Sequence, residues 1–313
     1  MREIVDRAFA DQVDQSLAET QGPGSIAVRA HARGRYPRPR LSVDEHTIEL
    51  AGSPAFYRTA TGPGAPVLYV HGVPTSSDDW IPFLERTGGI APDLIGFGRS
   101  GKAGNLDYSV GGISDFLARL LAELDVGPVR LVTHDWGAPI GLAFAQRSPD
   151  RVERIVIIDG VPMFPTDGVH WHLAARLWER PLIGELVMGA ITKRILARTL
   201  RDGGTRPDAW TSERVAAIWD QFDQGTQRAI LRLTRSATLD ELAAAGSGLG
   251  TLTAPALVLW GEQDPWLDTG IGATYAEVLP RAELDQVPDA GHWPWMDQPQ
   301  VVDRVATFLE ARA

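Results

Sequence analysis

The sequence predicts an α/β protein, with a mostly parallel sheet covered by helices on both faces and one helical cap inserted late in the chain. Three observations predict it. Four short runs, PVLYV (66–70), VRLVT (129–133), RIVII (154–158) and ALVLW (256–260), are almost continuously apolar. Strands buried on both faces read this way, because neither side of the sheet meets water. Helix-like stretches separate these runs, and that alternation builds parallel sheets. Between residues 161 and 250 the alternation stops, and that stretch shows helix-like pieces and little strand pattern.

In chain order, strands are expected at 46–50, 56–60, 66–71, 129–134, 154–159 and 256–261. Helices are expected at 110–124, 138–147, 271–279 and 301–311, and inside the cap at 171–179, 185–199 and 212–222. Residues 1–20 read as a helix with apolar positions at Ile4, Val5, Ala8, Val13 and Leu17. Gly22-Pro23-Gly24 breaks it. A basic stretch with Arg29, Arg33, Arg35, Arg38 and Arg40 follows, and it reads as a solvated extension. The expected organisation is an N-terminal helix and basic extension (1–44), the first part of the core (45–160), the helical cap (161–250) and the second part of the core (251–313).

The 313 residues are 44% hydrophobic, enough for one large core. Acidic residues outnumber basic ones, 40 to 30, for a net charge of −10. That sign disfavours nucleic acid and anionic membranes as partners. There is no cysteine, which excludes disulfides, thiolate metal sites and cysteine nucleophiles. The first residues are too charged for the apolar part of a signal peptide, and no apolar run reaches the ~18 residues of a membrane span. A cytoplasmic protein needing no cofactor or metal is the expectation.

The chemistry concentrates at VRLVTHDWGA (129–138). A strand runs into Asp135 and a helix begins near Gly137. Thr133, Asp135 and Gly137 follow the small-x-nucleophile-x-Gly spacing of the nucleophile elbow in α/β-hydrolase folds. The tight turn leaves no room for large side chains beside the nucleophile and lifts its side chain above the sheet. The alternative, that Asp135 simply caps the helix, leaves its partners unexplained. An aspartate here attacks an sp3 carbon and forms an alkyl ester, which a histidine-activated water then hydrolyses. His292, in PDAGHWPW (288–295), stands in the histidine slot, and the other six histidines all precede it. For the acid, Asp264 in LVLWGEQDP (257–265) is favoured, with Asp159 as its rival. The oxyanion donors are expected to be the backbone N–H groups of Trp136 and Val73.

Three motifs together, HGVPTSS (71–77), PDLIGFGRSGK (92–102) and HDWG (134–137), resemble the haloalkane dehalogenases within the α/β-hydrolase superfamily. The resemblance is close over about residues 45–160 and resumes over 256–299. Epoxide hydrolases, the sister family, share Asp135, Trp136 and His292. The resemblance implies a small apolar organic substrate, water as co-substrate and N–H donors for the leaving halide. Trp136 matches the first donor. The HGNP asparagine of one branch is replaced by Val73, so the second falls to a cap tryptophan, Trp178 before Trp171. The His170-Trp171 pair is similar to that of fluoroacetate dehalogenases, but Trp136 and Pro139 stand where those enzymes carry arginines. Epoxide hydrolases use cap tyrosines as acids, and none of the five tyrosines lies between residues 161 and 250. Carbon–halogen cleavage therefore leads. Epoxide hydrolysis is the alternative, and a hydrolase-fold protein with a non-catalytic binding role is a further one.

Overall fold

The computed structural model describes residues 40–166 and 173–311. The expected N-terminal helix, the arginines up to Arg38, and His170 and Trp171 lie outside the described residues.

Eight strands form one sheet: β1 (Asp44–Leu50), β2 (Ser53–Ala60), β3 (Val67–Val70), β4 (Gly89–Pro92), β5 (Val129–Asp135), β6 (Val152–Gly160), β7 (Ala256–Gly261) and β8 (Ala282–Val287). Their order is β1-β2-β4-β3-β5-β6-β7-β8. The β1–β2 and β2–β4 pairs are antiparallel and every other pair is parallel. The four apolar runs are β3, β5, β6 and β7, the centre of the sheet. Their side chains divide by parity between two cores. Leu68, Val70, Leu131, Ile155, Ile157, Val258 and Trp260 face one. Val67, Tyr69, Val132, Val156, Ile158, Leu257 and Leu259 face the other. Alternation across a doubly covered sheet makes these runs uniformly apolar.

Helices α1 (Ile81–Thr87), α2 (Val110–Glu123) and α3 (Gly137–Arg147) fall between the strands of the first half. Between β6 and β7 lie α4 (Leu173–Trp178), α5 (Ile183–Gly189), α6 (Lys193–Asp202), α7 (Ser212–Gln221), α8 (Gln224–Arg235) and α9 (Leu239–Ala245), with no strand among the described residues. After β7 come α10 (Thr269–Val278), α11 (Pro294–Asp297) and α12 (Gln300–Glu310). No described helix is long and apolar enough to cross a membrane.

Three expectations are corrected. β4 and β8 were not anticipated. β4 is four residues bounded by Gly89 and Pro92, and β8, at the sheet edge, has only half-buried and exposed positions. The single helix expected over 185–199 is two, because Thr192 leaves the helical conformation and caps α6, its hydroxyl accepting from Ile195 N–H. α8 and α9 were also missed, although Asp223 and the Thr238/Glu241 capping box mark their starts.

β3 is the switch point of the sheet. The chain leaves it first for β4 on one side and then for β5 on the other. Ligand crevices form at the carboxyl ends of the strands flanking such a point. The loop after β3 carries Val73, and β5 ends on Asp135.

Candidate active site

Asp135 adopts φ +50°, a left-handed conformation that non-glycine residues rarely hold. The elbow forces it. A Cβ on Gly137 would stand 2.2 Å from the Val70 carbonyl oxygen, and one on Gly72 would stand 2.5 Å from the Asp135 Cβ. Glycine at both positions lets three backbone segments meet. The helix N-cap of α3 is Trp136, not Asp135, which leaves the Asp135 carboxylate for other partners.

Asp135 as a whole is 7% exposed. Val73 N–H donates to its Oδ2 at 2.8 Å, and the backbone N–H of Trp136, the next residue along, also favours the charged carboxylate. Burial raises the Asp135 carboxyl above the usual aspartate value, against the opposing effects of His292 and the two N–H groups. Oδ1 lies 3.8 Å from His292 Nε2, too far for a hydrogen bond.

His292 is buried, and its Nδ1 bonds Asp264 Oδ2 at 2.7 Å. Asp264 Oδ1 accepts from Trp266 N–H at 2.8 Å and Leu267 N–H at 3.1 Å. Burial alone would lower the His292 imidazole. Asp264, and after it Asp135, outweigh burial and hold it above the usual histidine value. With Nδ1–H facing a carboxylate, Nε2 is the atom left to take a proton on the Asp135 side. Asp159, the rival acid, makes no bond to His292 among those seen. It sits beside Asp264, with Oδ1 accepting from Gly261 N–H at 2.9 Å.

The remaining motif residues hold these groups in place. His71 Nε2 accepts from Leu94 N–H at 2.9 Å, and its Nδ1 bonds Gly72 O at 2.7 Å, so Nδ1 carries the proton. Asp93 accepts from Ser77 N–H at 2.8 Å and from Arg99 N–H and Nε at 2.7 Å each. A Cβ on Gly98, at φ +54°, would lie 2.1 Å from Asp93 Oδ2. The PDLIGFGRSGK motif thus clamps the loop that presents Val73 N–H. Burial, though opposed by a hydrogen bond, keeps His134 neutral, and its Nε2 meets the His292 carbonyl oxygen at 2.7 Å.

Three contributors were not singled out from the sequence. Gly203, just past α6, accepts from His292 N–H at 2.7 Å. Asp297, buried in α11, accepts from Gly291 N–H at 2.8 Å, Thr205 N–H at 3.0 Å and Arg206 N–H at 2.8 Å. No local pattern marks either residue, because their partners lie far along the chain. Asp79, in the same loop as Val73, is buried beside Thr75 and Trp293, and burial pushes its carboxyl up to about 7. The doubled acid before Trp80 was the available signal.

The tryptophans differ in what can be said of them. Trp136 and Trp178 are half-buried against the core, and the Trp178 carbonyl accepts from Arg235 Nε at 3.0 Å. Trp171 lies outside the described residues. Among those residues no group of three or more acidic, histidine or cysteine side chains could hold a metal ion. A surface cavity of about 460 Å³ between α5 and α8, lined by Glu185, Met188, Arg228 and Arg232 among others, involves none of the groups around Asp135.

The alpha/beta hydrolase fold family matches residues 65–299. A cis-3-alkyl-4-alkyloxetan-2-one decarboxylase from Shewanella oneidensis is 28% identical over 295 residues, covering 86% of this chain and 89% of its own. A haloalkane dehalogenase from Mesorhizobium japonicum is 36% identical over 138 residues, 42% of this chain and 44% of that protein. The crystal structure of a haloalkane dehalogenase from Bradyrhizobium elkani USDA94 superposes with a TM-score of 0.74 at 27% identity, covering 86% of this chain and 98% of the other. An epoxide hydrolase at 24% identity and TM-score 0.73 shares the fold. With the family match spanning the sheet from β3 to the loop after His292, this chain belongs to the alpha/beta hydrolase fold family and is an enzyme of the hydrolase type.

Proposed function

We propose that the protein hydrolyses a small apolar substrate through an ester on Asp135, with carbon–halogen cleavage as the leading reaction. The observation that carries this reading is the pair of contacts on one carboxylate. Asp135 Oδ2 is held by the Val73 N–H, and Oδ1 faces His292 Nε2 across 3.8 Å. Oδ1 attacks the sp3 carbon, the carbon–halogen bond breaks, and the halide leaves with the bonding pair. His292 Nε2 then takes a proton from water. The hydroxide adds to Asp135 Cγ, and negative charge collects on Oδ2, where the N–H groups of Val73 and Trp136 receive it. Collapse breaks the Cγ–Oδ1 bond, and Oδ1 leaves with the alkyl group and takes the proton back from His292 as the alcohol. The carboxyl, now holding the water oxygen, releases its remaining proton to solvent and is a carboxylate again. Asp264 stabilises the imidazolium formed in this step. Trp136 and Trp178 are the proposed donors to the departing halide, Trp171 being the second choice for the role given to Trp178.

The decarboxylase relative, which matches most of the chain, brings a second reading. A four-membered lactone opened at its sp3 ring carbon leaves a carboxylate, a stable anion that needs no acid, as a halide does; loss of that carboxylate as CO2 then expels Asp135 from the neighbouring carbon and leaves an olefin. An epoxide leaves an alkoxide, which does need one. No tyrosine occurs between residues 161 and 250. The order of expected reactivity is therefore halide, β-lactone, epoxide.

Intact-mass spectrometry tests the shared mechanism. His292→Ala incubated with any substrate that the wild type turns over should gain a substrate-sized adduct on Asp135. An unmodified mass would refute the covalent route. Assays for halide, olefin and diol separate the three substrates, and silence in all of them favours a binding role. Because the neutral imidazole is the base, ester hydrolysis should rise with pH through a midpoint above the usual histidine value.

A further inference from the structure

The mechanism uses one acid, Asp264, yet two carboxyl groups sit behind His292. Asp159 ends β6 in a left-handed conformation, φ +40°, and is 0% exposed. Its Oδ1 is satisfied by Gly261 N–H, while its Oδ2 is buried with no donor to it among the described residues. Asp264 is equally buried and already receives three N–H groups, from Trp266, Leu267 and His292. Gly261 sets the two residues side by side, its N–H donating to Asp159 Oδ1 at 2.9 Å and its carbonyl oxygen accepting from Asp264 N–H at 3.3 Å, so that each carboxyl group feels the other. Two carboxylates are acceptors only, and bare oxygens pressed together in a dry interior repel. One proton between them turns that repulsion into a short, charge-assisted bond.

We infer that Asp159 is held as the neutral acid and donates its proton to Asp264, so that the pair carries a single negative charge. This assignment rests on the proposed His292–Asp264 geometry. Asp264 is the member that ionises, because its three N–H donors stabilise a carboxylate and Asp159 has one. Burial first, and the Asp264 charge second, raise the Asp159 carboxyl well above the usual aspartate value. The charged groups around the pair are Asp135 at the end of β5 and His292 after β8, with Asp79 acting on His292 from the loop after β3. Asp264 and Asp135 are both acids, so a further charge on Asp159 is opposed from two sides. Asp159 thus acts as a positioning residue. Its O–H fixes the Asp264 carboxylate from behind and limits its basicity, so that the Nδ1 proton stays with the imidazole.

Infrared spectroscopy of the resting enzyme tests this without substrate, and so independently of the reaction assigned to Asp135. The wild type at neutral pH should show the carbonyl stretch of a buried, protonated carboxyl, and Asp159→Asn should lose it. Asp79 is common to both proteins and cancels in the difference. A wild-type spectrum identical to that of Asp159→Asn in this region overturns the assignment. Kinetics supply the second arm. Asp159→Leu removes the donor and should slow turnover about 30-fold, the scale of a hydrogen bond to a charged group. Asp159→Asn should restore most of that loss, since its amide can donate to Asp264 in place of the O–H. If Asp159→Asn instead falls as far as Asp264→Asn, the charge resides on Asp159 and the proposal fails.

Discussion

The loops at the carboxyl ends of β3, β5 and β7 and the helices between β6 and β7 are built on opposite terms. Around Asp135 the polar side chains that shape the site are buried and bonded to distant segments: His71, Asp93, His134 and Asp264 each hold a neighbouring segment through bonds of 2.7–2.9 Å. Among the described residues, the large apolar side chains left in water all lie on α5, on α6 or beside them: Leu182 at 78% exposure, Leu186 at 74%, then Ile195 and Ile183. A buried hydrogen-bonded network punishes any change of partner, whereas an exposed apolar face tolerates change. The difference teaches where fidelity is required. Orientation is fixed in the sheet half, and the helical half is free to vary in surface and shape.

Substitutions test this contrast from the strongest effect downward. Asp264→Asn should reduce turnover by about 10⁴-fold while leaving the fold intact, because the amide cannot stabilise the imidazolium. Steady-state kinetics with a melting curve check it, and a loss below tenfold would show that the carboxylate network is not decisive. Asp297→Ala strips the acceptor from three backbone N–H groups at the seam between the halves. Unsatisfied buried donors cost about 1–3 kcal/mol each, so urea unfolding should register a loss of about 3 kcal/mol or more. A loss below about 1 kcal/mol would mean that the seam is dispensable.

The buried Asp79 sharpens the contrast through pH. Its folded value is about 7, above the ordinary carboxylate value of 3.8. Below pH 3.8 both states are protonated and nothing is lost. As pH rises toward 7 the unfolded chain ionises while the folded one stays neutral, so stability falls, and above 7 the loss is constant. Asp79→Asn should therefore stabilise the protein by a few kcal/mol at pH 8.5 and by little at pH 4. Melting curves at the two pH values decide, and equal shifts would remove the ionisation argument. At the bottom of the scale, Leu186→Ser should change stability by no more than about 0.5 kcal/mol. A large loss would show that the exposed face is covered in solution.

The same contrast explains what the sequence revealed. β7 matched its expected bounds, and β5 and β6 came within two residues at each end, because double burial writes itself as an apolar run. β8, at an edge and interrupted by Glu283, Asp285 and Gln286, carries no such run. Asp135, Val73, Asp264 and His292 were legible because each sits at a fixed offset from a strand end, and the structure brings them together at the distances given above. Asp297 and Gly203 were illegible because the contacts that join the two segments, Thr205 and Arg206 to Asp297 and His292 to Gly203, are about 90 residues apart in sequence. The break at Thr192 is written in the sequence, since a threonine between two apolar stretches is an N-cap signal.

The Asp297 carboxylate and the Gly203 carbonyl together bind the amides of Thr205, Arg206, Gly291 and His292. Those four amides belong to segments that the chain visits far apart, yet they share two acceptors. In hydrogen exchange they should open as one unit, with one protection factor and one response to denaturant. The base of the proposed mechanism is thus moored by its own backbone to the helices after β6, and any ligand that tightens those helices also slows the fluctuations of His292.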